Sequence, residues 1–394
     1  MFNSIYVGLS GLNAYSRGLQ QVSNNVTNLN SSGFKGATVS FTDLFSVGGD
    51  GGLSYSGGGA GRGNGVHLGE ASLDFRQGEL RQSERDLDLA MDGSGFLVLM
   101  RGDQLLYTRT GSFQVDKEGY IVLAGTDYRL ATLDPSGKAV SLSIDASRTS
   151  APKQTTTVRL ADNLSSTSTS FSLSDVKVYD AAGREHLWQV QFTKPAGAPA
   201  DEWSVAVTDA QGKAIGTQSL KFLQGAVDPA TSKLVFENSD AGLSVTLDLS
   251  QGVTSFSSGQ VSTMRVASVD GHKVGAITAI RVNDQGKLEI GYSNEQKKEL
   301  GPVAIADFRD PQALQQRSGG LFSDLKGLGQ RELLTTQDGR VGKVVSRRLE
   351  ASNVDLAKQF GDLILIQRGF QASSQIISVS NDMIQQLFGI RGQG

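Results

Sequence analysis

The chain contains no cysteine, and only seven of its 394 residues are proline. Without cysteine, neither a disulfide nor a thiolate metal site can form. In a chain of this length, the absence is also compatible with an exported protein that passes unfolded through a narrow path. Lysine plus arginine number 37 and aspartate plus glutamate number 40, so the formal net charge is only -3. Such a balance provides no electrostatic footprint for binding nucleic acid.

Long apolar runs are also missing. The first four residues carry no basic side chain, and no apolar run of signal-peptide length follows them, which predicts that no secretory signal is cleaved. The longest aliphatic run near the C-terminus, residues 363–366, is far too short to span a bilayer. The sequence therefore predicts no membrane insertion.

Both ends of the chain carry apolar residues at steps of three and four, in stretches without proline, which is the spacing of a seam between helices. The N-terminal stripe is Ile5, Leu9, Leu12, Tyr15, Leu19, Val22, Val26 and Leu29. The C-terminal stripe is Leu356, Phe360, Leu363, Gln367, Phe370, Ser374, Ile377, Asn381, Ile384 and Phe388. We predict that the two ends are helices that pair and assemble.

The composition of these ends favours burial among neighbouring chains. Residues 1–33 contain a single charged side chain, Arg17, and their polar positions are mostly asparagine and serine. Glycine, which costs about 1 kcal/mol relative to alanine in an exposed helix interior, interrupts the stripes. Its positions are Gly8, Gly11, Gly18, Gly361 and Gly369. Our hypothesis is that the ends order fully only on polymerisation; the alternative is that they dock on a sheet of their own chain.

The predicted assembly interface consists of the apolar members of the two stripes. They are Ile5, Leu9, Leu12, Leu19, Val22, Val26, Leu29, Leu356, Phe360, Leu363, Phe370, Ile377, Ile384 and Phe388. The polar members of the C-terminal stripe, Gln367, Ser374 and Asn381, either fix the register of the seam or face a lumen.

The long middle of the chain is predicted to be mainly β. Residues 48–65 contain ten glycines in eighteen positions and are interpreted as a flexible connection or a closely threaded backbone. Beyond them, apolar alternation and turn residues predict hairpins around residues 113–123 and 280–292, and strands around 188–192, 203–207 and 245–249. The fold class is therefore α+β, mainly β, with paired terminal helices of coiled-coil type and nested β domains.

The same pattern predicts four parts. Residues 1–33 and 350–394 form a helical assembly domain, and residues 34–70 a glycine-rich connection. Residues 71–154 and 264–349 form a β-rich core domain, into which residues 155–263 are inserted as an outer β domain.

No motif predicts an enzyme. His67, His186 and His272 lie far apart in the sequence and lack ligand spacing. The glycine run contains neither a dinucleotide fingerprint nor a Walker motif. Paired acids such as Asp86 and Asp88 are common on solvated surfaces. We therefore expect no catalytic, cofactor-binding or metal-binding residues, and no cofactor.

Several segments resemble a known family, the bacterial flagellar rod and hook proteins. They are residues 23–35, 87–98, 107–113, 352–356 and 367–370. Segments 41–45, 178–187 and 301–311 are most similar to the hook branch of that family. The residues that carry the resemblance are Asn24, Asn25, Asn28, Gly33, Phe34, Lys35, Asp92, Gly93, Gly95, Phe96, Arg109, Gly111, Phe113, Asn353, Val354, Asp355, Leu356 and Arg368. The resemblance fades in residues 50–65 and 205–260.

The resemblance implies an extracellular structural subunit, exported without a cleaved signal by the flagellar type III apparatus. It implies self-assembly into a hollow curved tube that acts as a universal joint between motor and filament. The implied partners are copies of the chain, the rod, the hook–filament junction proteins, the hook cap and the export apparatus.

Three other functions stay open. A distal-rod type of protein would form a straight tube, and a secreted β-rich carbohydrate-active enzyme would have a groove lined by facing carboxylates. A phage tail component or adhesin would have trimeric terminal seams and no lumen.

Overall fold

The computed structural model describes residues 2–45, 63–197, 199, 201–324 and 330–391. Two terminal helices enclose a chain that is otherwise mostly strand, which confirms the α+β, mainly β class. Residues 48–62 of the glycine-rich segment lie outside the described residues, so the interpretation of that segment stays a prediction.

By contacts, the chain separates into two compact units. Unit 1 contains residues 1–145, 280–289 and 299–394, and unit 2 contains residues 146–279 and 290–298. Unit 2 therefore lies between segments of unit 1 in the sequence. The finer division into four parts stays a prediction.

Most strands lie within one unit. Those of unit 1 are Ala37–Thr38, Phe41–Phe45, Gly63–Leu68, Ser72–Leu73, Leu80–Gln82, Asp88–Asp92, Phe96–Arg101, Gln104–Thr108, Thr110–Val115, Ile121–Leu123, Arg129–Leu133, Ala139–Ser141, Ile305–Phe308, Gln315–Arg317, Leu321–Ser323, Arg331–Leu334, Lys343–Ser346 and Arg348–Glu350. Those of unit 2 are Thr149–Ser150, Thr157–Asn163, Ser170–Tyr179, Glu185–Thr193, Glu202–Asp209, Ala214–Leu223, Ala226–Val227, Lys233–Asn238, Leu243–Asp248, Val253–Thr254 and Arg265–Val269. The chain passes between the units within Gly275–Val282, Lys287–Tyr292 and Lys297–Pro302.

Unit 1 is built on an antiparallel sheet. Its central strand, Phe96–Arg101, pairs with Gln104–Thr108 on one side and Arg129–Leu133 on the other. Alternate side chains of a strand point to opposite faces. The central strand accordingly supplies Leu97 and Leu99 to one apolar cluster and Phe96 and Val98 to another.

Unit 2 contains an antiparallel run of four consecutive strands, Ser170–Tyr179, Glu185–Thr193, Glu202–Asp209 and Ala214–Leu223. Their inward residues include Trp188 and Trp203, each almost fully buried. The apolar alternation that predicted strands here is therefore the inward face of a packed sheet.

The structure confirms both predicted hairpins. Strand Thr110–Val115 pairs antiparallel with Ile121–Leu123, and Gly119 has a φ of +80° in the turn between them. Strands Gly275–Val282 and Lys287–Tyr292 are neighbours in one sheet. Gly286, with a φ of +74°, lies in their connection. Both turns need the left-handed conformation that glycine adopts without strain.

The first helix, α1, spans Phe2–Thr27, and the last, α2, spans Leu356–Arg391. Between them, the described part of the chain contains three short 3₁₀ helices, Asp145–Ser147, Pro229–Thr231 and Pro311–Ala313. The Asp355 carboxylate caps α2 by accepting hydrogen bonds from the backbone N–H groups of Ala357 and Lys358, at 2.9 and 3.2 Å. Among the described residues, no helix is both long enough and apolar enough to cross a membrane.

Candidate functional site: the helix pair and its root

Helices α1 and α2 pack against each other in an antiparallel pair, which we call the helix pair. Near one end, Gly8 lies against Ile377, and a Cβ atom added to Gly8 would be 2.8 Å from Cγ1 of Ile377. Further along α1, Gly18 lies against Ile366. Residues further along α1 thus contact residues closer to the N-terminus of α2. This order shows that the two helices run antiparallel and defines their register.

Glycines allow the two backbones to approach closely at the centre of the pair. A Cβ atom on Gly11 would lie 2.5 Å from Oγ of Ser373, and one on Gly369 would lie 2.6 Å from Cε1 of Tyr15. Each helix thus contributes a glycine opposite a larger side chain of the other. Four of the five glycines that interrupt the stripes are contact positions, and the exception is Gly361, which has no atom within 4 Å of an added Cβ.

The face of α2 that contacts α1 differs from the predicted seam. Its buried residues are Gln359, Ile366, Ser373 and Ser380, which recur every seven positions. The predicted stripe overlaps this face only in part: Ile377 contacts α1, whereas Phe360 and Phe370 are exposed. Glycines on α1 bring the backbones close, and a serine such as Ser373 fits there where a phenylalanine would not.

The predicted interface residues divide into three groups by exposure. Val22 is buried. Half-buried residues are Ile5, Leu12, Val26, Leu29, Leu363, Ile377 and Ile384. Exposed residues are Leu9, Leu19, Leu356, Phe360, Phe370 and Phe388. The exposed members are available to another chain, and their role in assembly stays a prediction.

The polar members of the predicted C-terminal stripe are exposed as well. Gln367, Ser374 and Asn381 all lie outside the face that contacts α1. They therefore do not fix the register of the helix pair. The glycine contacts set the register instead. That these three side chains face a lumen stays a prediction.

A buried cluster of three charges holds the root of the helix pair, where α1 ends and α2 begins. The Lys35 ammonium lies 2.7 Å from Oε1 of Glu350, and Nε of Arg109 lies 3.2 Å from Oε2 of the same carboxylate. All three side chains are at most 2% exposed. We call Lys35, Arg109 and Glu350 the root cluster.

Backbone groups satisfy the remaining hydrogen bonds of the root cluster. Lys35 Nζ donates to the carbonyl of Arg76 at 2.7 Å, and Arg109 donates to the carbonyls of Gly93 and Gly95. The N–H of Gly78 donates to Oε1 of Glu350 at 2.8 Å. Two buried cations that share one anion are tolerated only when such partners surround them.

Burial determines the ionisation of the root cluster. Desolvation lowers the pKa of Lys35, and the nearby Glu350 carboxylate opposes that shift. Desolvation likewise lowers the pKa of Arg109, again opposed by Glu350. Burial and the proximity of Glu350 thus act on the pKa of each cation in opposite directions, and burial is the larger effect.

The root cluster joins segments that are distant in sequence. Lys35 follows α1, Arg109 lies between two strands of the unit 1 sheet, and Glu350 ends the strand that precedes α2. The backbone N–H of Gly33 donates to the carbonyl of Glu350 at 2.8 Å, and the N–H of Glu350 donates to Oγ1 of Thr110 at 3.1 Å. The exit of α1 and the entry of α2 are therefore fixed to one place on the sheet.

Two asparagines extend this junction toward the helices. Asn25, buried on α1, donates to the carbonyl of Ala37 at 2.8 Å and to Oε1 of Gln359 on α2 at 2.9 Å. Asn353 donates to the carbonyls of Asp74 and Arg76 at 2.6 and 2.9 Å. Its Oδ1 atom accepts from Gly36 N at 2.9 Å. Each amide therefore bridges segments that the chain brings together only by folding.

Many of the residues that carry the family resemblance meet at this junction. Gly33, Phe34, Gly93, Gly95 and Phe96 surround the root cluster residues, and the Arg109 guanidinium carbon lies 5.6 Å from the centre of the Phe96 ring. Residues that lie elsewhere or are exposed are Asn24, Asn28, Asp92, Gly111, Phe113, Asp355, Leu356 and Arg368. Val354, beside Asn353, packs on Gly36.

Sequence reasoning missed Glu350 and Gln359. Glu350 carries one signal: it immediately precedes the 352–356 segment, and a buried lysine and arginine need a carboxylate. Gln359 has no such signal, because a glutamine at a helix start is usually a solvated residue.

The root cluster binds backbone groups and holds segments together. Among the described residues, no group of three or more histidine, aspartate or glutamate side chains is placed to hold a metal ion. The contacts of this site fix the end of α1 and the start of α2 to the sheet of unit 1.

Three family models match the chain. Residues 345–390 match the flagellar basal body rod FlgEFG protein C-terminal model. Residues 90–160 match the flagellar hook protein FlgE/F/G D1 domain. Residues 143–272 match the flagellar basal body protein FlaE D2 domain. The first two matched ranges include Glu350, Arg109 and the start of α2.

Three proteins that are similar to this chain along nearly their whole length are flagellar hook proteins. The flagellar hook protein FlgE of Salmonella typhimurium is 28% identical, with 97% of this chain and 98% of that protein covered. FlgE of Escherichia coli is 29% identical with the same coverage. FlgE of Treponema pallidum is 26% identical, with 99% of this chain and all of that protein covered. Because hook proteins align along nearly the whole length and three family models match in order, the chain belongs to the flagellar hook and rod protein family.

Proposed function

We propose that the chain is the structural subunit of a bacterial flagellar hook. Copies would polymerise into a hollow curved tube outside the cell, and that tube would act as a universal joint between the rotary motor and the filament. The observation that carries the proposal is the helix pair: two long helices, fixed at one root, present apolar residues that no part of the described chain covers.

The exposed residues of the helix pair suit assembly. Monomeric proteins rarely leave a row of large apolar side chains in water. On α2, Phe360, Phe370 and Phe388 are each more than two-fifths exposed, and on α1, Leu9 and Leu19 are similarly exposed. Contact between copies would bury these side chains.

The division between helices and strands suits a joint. During bending, each subunit must change its distance from its axial neighbour in every rotation. Packed apolar seams repack in steps and do not stretch continuously. We infer that the helices provide the continuous inner wall, while outer β surfaces slide over polar contacts.

The root cluster would transmit torque between these layers. Twist applied to the outer sheet of unit 1 reaches the helices through Lys35, Arg109 and Glu350 and through the asparagine bridges. The cluster resists displacement because moving any member away would leave a buried charge without the partner that it contacts. A rigid root combined with sliding outer surfaces gives a tube that bends but resists twist.

The remaining partners follow from the same proposal. They are the rod, the hook–filament junction proteins, the hook cap during assembly, and the type III apparatus that exports the chain without a cleaved signal. The proposed role is structural and includes no enzymatic activity or cofactor.

Electron microscopy of the purified chain under polymerising conditions tests the proposal. Curved hollow tubes are expected, whereas straight tubes would favour a distal-rod role, and globular particles at every concentration would refute both. Phe370→Asp should prevent tube formation, because it would bury an unpaired carboxylate. The matched control is Gln371→Asp, at the next exposed position, where tubes should persist.

A further inference from the structure

The two units differ in how much of the chain each of them needs. Unit 2 ends at Lys298, and its run of four consecutive strands pairs neighbours along the chain. Unit 1 instead combines an early segment, residues 1–145, with residues 280–289 and a late segment, residues 299–394. Closing a long loop costs more conformational entropy than closing a short one. The topology therefore lets unit 2 fold while unit 1 is still open.

Unit 1 is joined by strands from opposite ends of the chain. Strand Lys343–Ser346 of the late segment pairs with Asp88–Asp92 of the early segment, and Arg348–Glu350 pairs with Leu80–Gln82. In the sequence, each of these pairings spans the whole of unit 2. These early strands therefore lack a neighbour until the late segment joins them.

Folding of unit 2 brings the early and late segments closer together along the chain. Its strand Thr149–Ser150 pairs antiparallel with the start of Gly275–Val282, where Thr149 lies opposite Ala276. Once this pair has formed, the residues between its two strands no longer lengthen the loop that separates the two segments. Because a shorter loop costs less entropy to close, formation of unit 2 favours the closure of unit 1. The two steps thus have an order.

The early segment presents a site for one carboxylate of the late segment. The Glu350 carboxylate accepts hydrogen bonds from the side chains of Lys35 and Arg109 and from the backbone N–H of Gly78. These three donors precede Glu350 by between 241 and 315 positions. Burial of Lys35 and Arg109 without that carboxylate would leave two desolvated cations. Closure of unit 1 around them is therefore unfavourable until Glu350 is in place.

We propose that the root cluster is a latch that closes last: unit 2 folds first, and the exit of α1 joins the sheet of unit 1 only when Glu350 enters the site of Lys35 and Arg109. Because α2 starts shortly after Glu350, at Leu356, the same event places both helices. A chain without its late segment would then contain a folded unit 2 and an unanchored α1. The inference goes beyond the proposed function, because it concerns the order of folding and not the shape of a tube.

Refolding of the full chain from urea, followed by two probes, tests the latch. Tryptophan fluorescence reports on unit 2, because the two tryptophans of the chain, Trp188 and Trp203, both lie in its core. Pulse labelling of the backbone amides of Asp88–Asp92 with deuterium reports on unit 1. We expect native fluorescence before these amides are protected. Glu350→Gln should leave the rate of the fluorescence change as it is in the wild type and slow amide protection by about tenfold or more.

A second variant keeps the test decisive if unit 1 of Glu350→Gln never closes. Addition of Lys35→Met to Glu350→Gln removes one of the two buried cations, so the amides of the double variant should be protected faster than those of Glu350→Gln alone. The matched control is Glu332→Gln, which removes an exposed carboxylate from the late segment. It should refold at the wild-type rate by both probes.

Any of four results would overturn the inference. They are protection of the unit 1 amides before native fluorescence, wild-type rates of Glu350→Gln by both probes, equal slowing of both probes, and a double variant no faster than Glu350→Gln. Failure of the wild-type chain to form tubes would instead count against the proposed function and leave the latch intact. Refolding of single chains and formation of a polymer therefore test the two proposals separately.

Discussion

The Nζ atom of Lys35 lies 2.7 Å from Oε1 of Glu350, with neither side chain exposed to solvent. These two residues are separated by 315 positions in the chain, and their contact fixes the end of α1 beside the start of α2. Arg109 shares the carboxylate. Removal of Glu350 would leave two buried cations without the carboxylate that they contact directly.

We expect Glu350→Gln to destabilise unit 1 by about 3–5 kcal/mol, the usual cost of breaking a buried ion pair by removing one partner. Urea unfolding followed by far-ultraviolet circular dichroism measures the loss. The matched control is Glu332→Gln, which removes the exposed ion pair with Arg340 and should cost far less, because solvent screens exposed charges. Equal effects of the two substitutions would contradict the role of the root cluster.

Glycine substitutions should separate contact positions from incidental ones. Gly11→Ala places a methyl group against Ser373, and Gly369→Ala places one against the Tyr15 ring. Both should weaken the helix pair and raise the critical concentration for tube formation. Gly361→Ala is the control, because nothing lies within 4 Å of the added atom. It should stabilise α2 by up to about 1 kcal/mol, so a loss of assembly there would argue against the register.

Acid should weaken unit 2 partly through Asp180. Hydrogen bonds from the Arg184 backbone, opposed by desolvation and supported by His186 and the Arg184 side chain, lower its pKa from 3.8 to about 2. A depressed carboxyl pKa stabilises the fold above pH 3.8, and that contribution is lost as the pH falls toward 2.

Asp180→Asn should therefore lower the urea midpoint of unit 2 at pH 6 and reduce its fall between pH 4 and pH 2. Tryptophan fluorescence follows the transition, because Trp188 and Trp203 both lie in the unit 2 core. Asp201→Asn, at an exposed position, is the control and should keep the wild-type pH dependence. An unchanged slope in Asp180→Asn would exclude this residue as a source of the acid sensitivity.

A truncated chain of residues 31–351 should remain folded and monomeric. It loses Asn25 and Asn353 but retains Lys35, Arg109 and Glu350. Size-exclusion chromatography should give a monomer, and thermal unfolding should remain cooperative. Loss of cooperative folding would mean that the helices belong to the core of unit 1.

Assembly-coupled ordering of the helices is a separate prediction. In the monomer, limited proteolysis should cut residues 2–30 and 356–391 faster than the sheet of unit 1, because helix ends without their neighbours open readily. Tubes should protect the same segments. Equal resistance of the ends and the sheet in the monomer would exclude ordering by assembly.

Periodicity in the sequence was sufficient to predict helices at both ends and strands in the middle of the chain. Steps of three and four placed α1 and α2, and alternation around Trp188 and Trp203 placed strands that the structure contains. These patterns are local, because a side chain's direction in a helix or strand depends on its neighbours along the chain. The predicted stripe included Ile377, which contacts α1, but it missed Ser373 and Ser380, which are buried in the structure, because the pattern was carried by bulky apolar side chains.

The amino-acid sequence by itself determined the class of the fold, the two helical ends and the family to which the chain belongs. Tertiary structure alone decided that glycines of α1 and α2 are contacts of the helix pair, and that Lys35 and Arg109 share the buried carboxylate of Glu350. The reason is physical: these features depend on distances between segments hundreds of residues apart, and no local repeat records such distances.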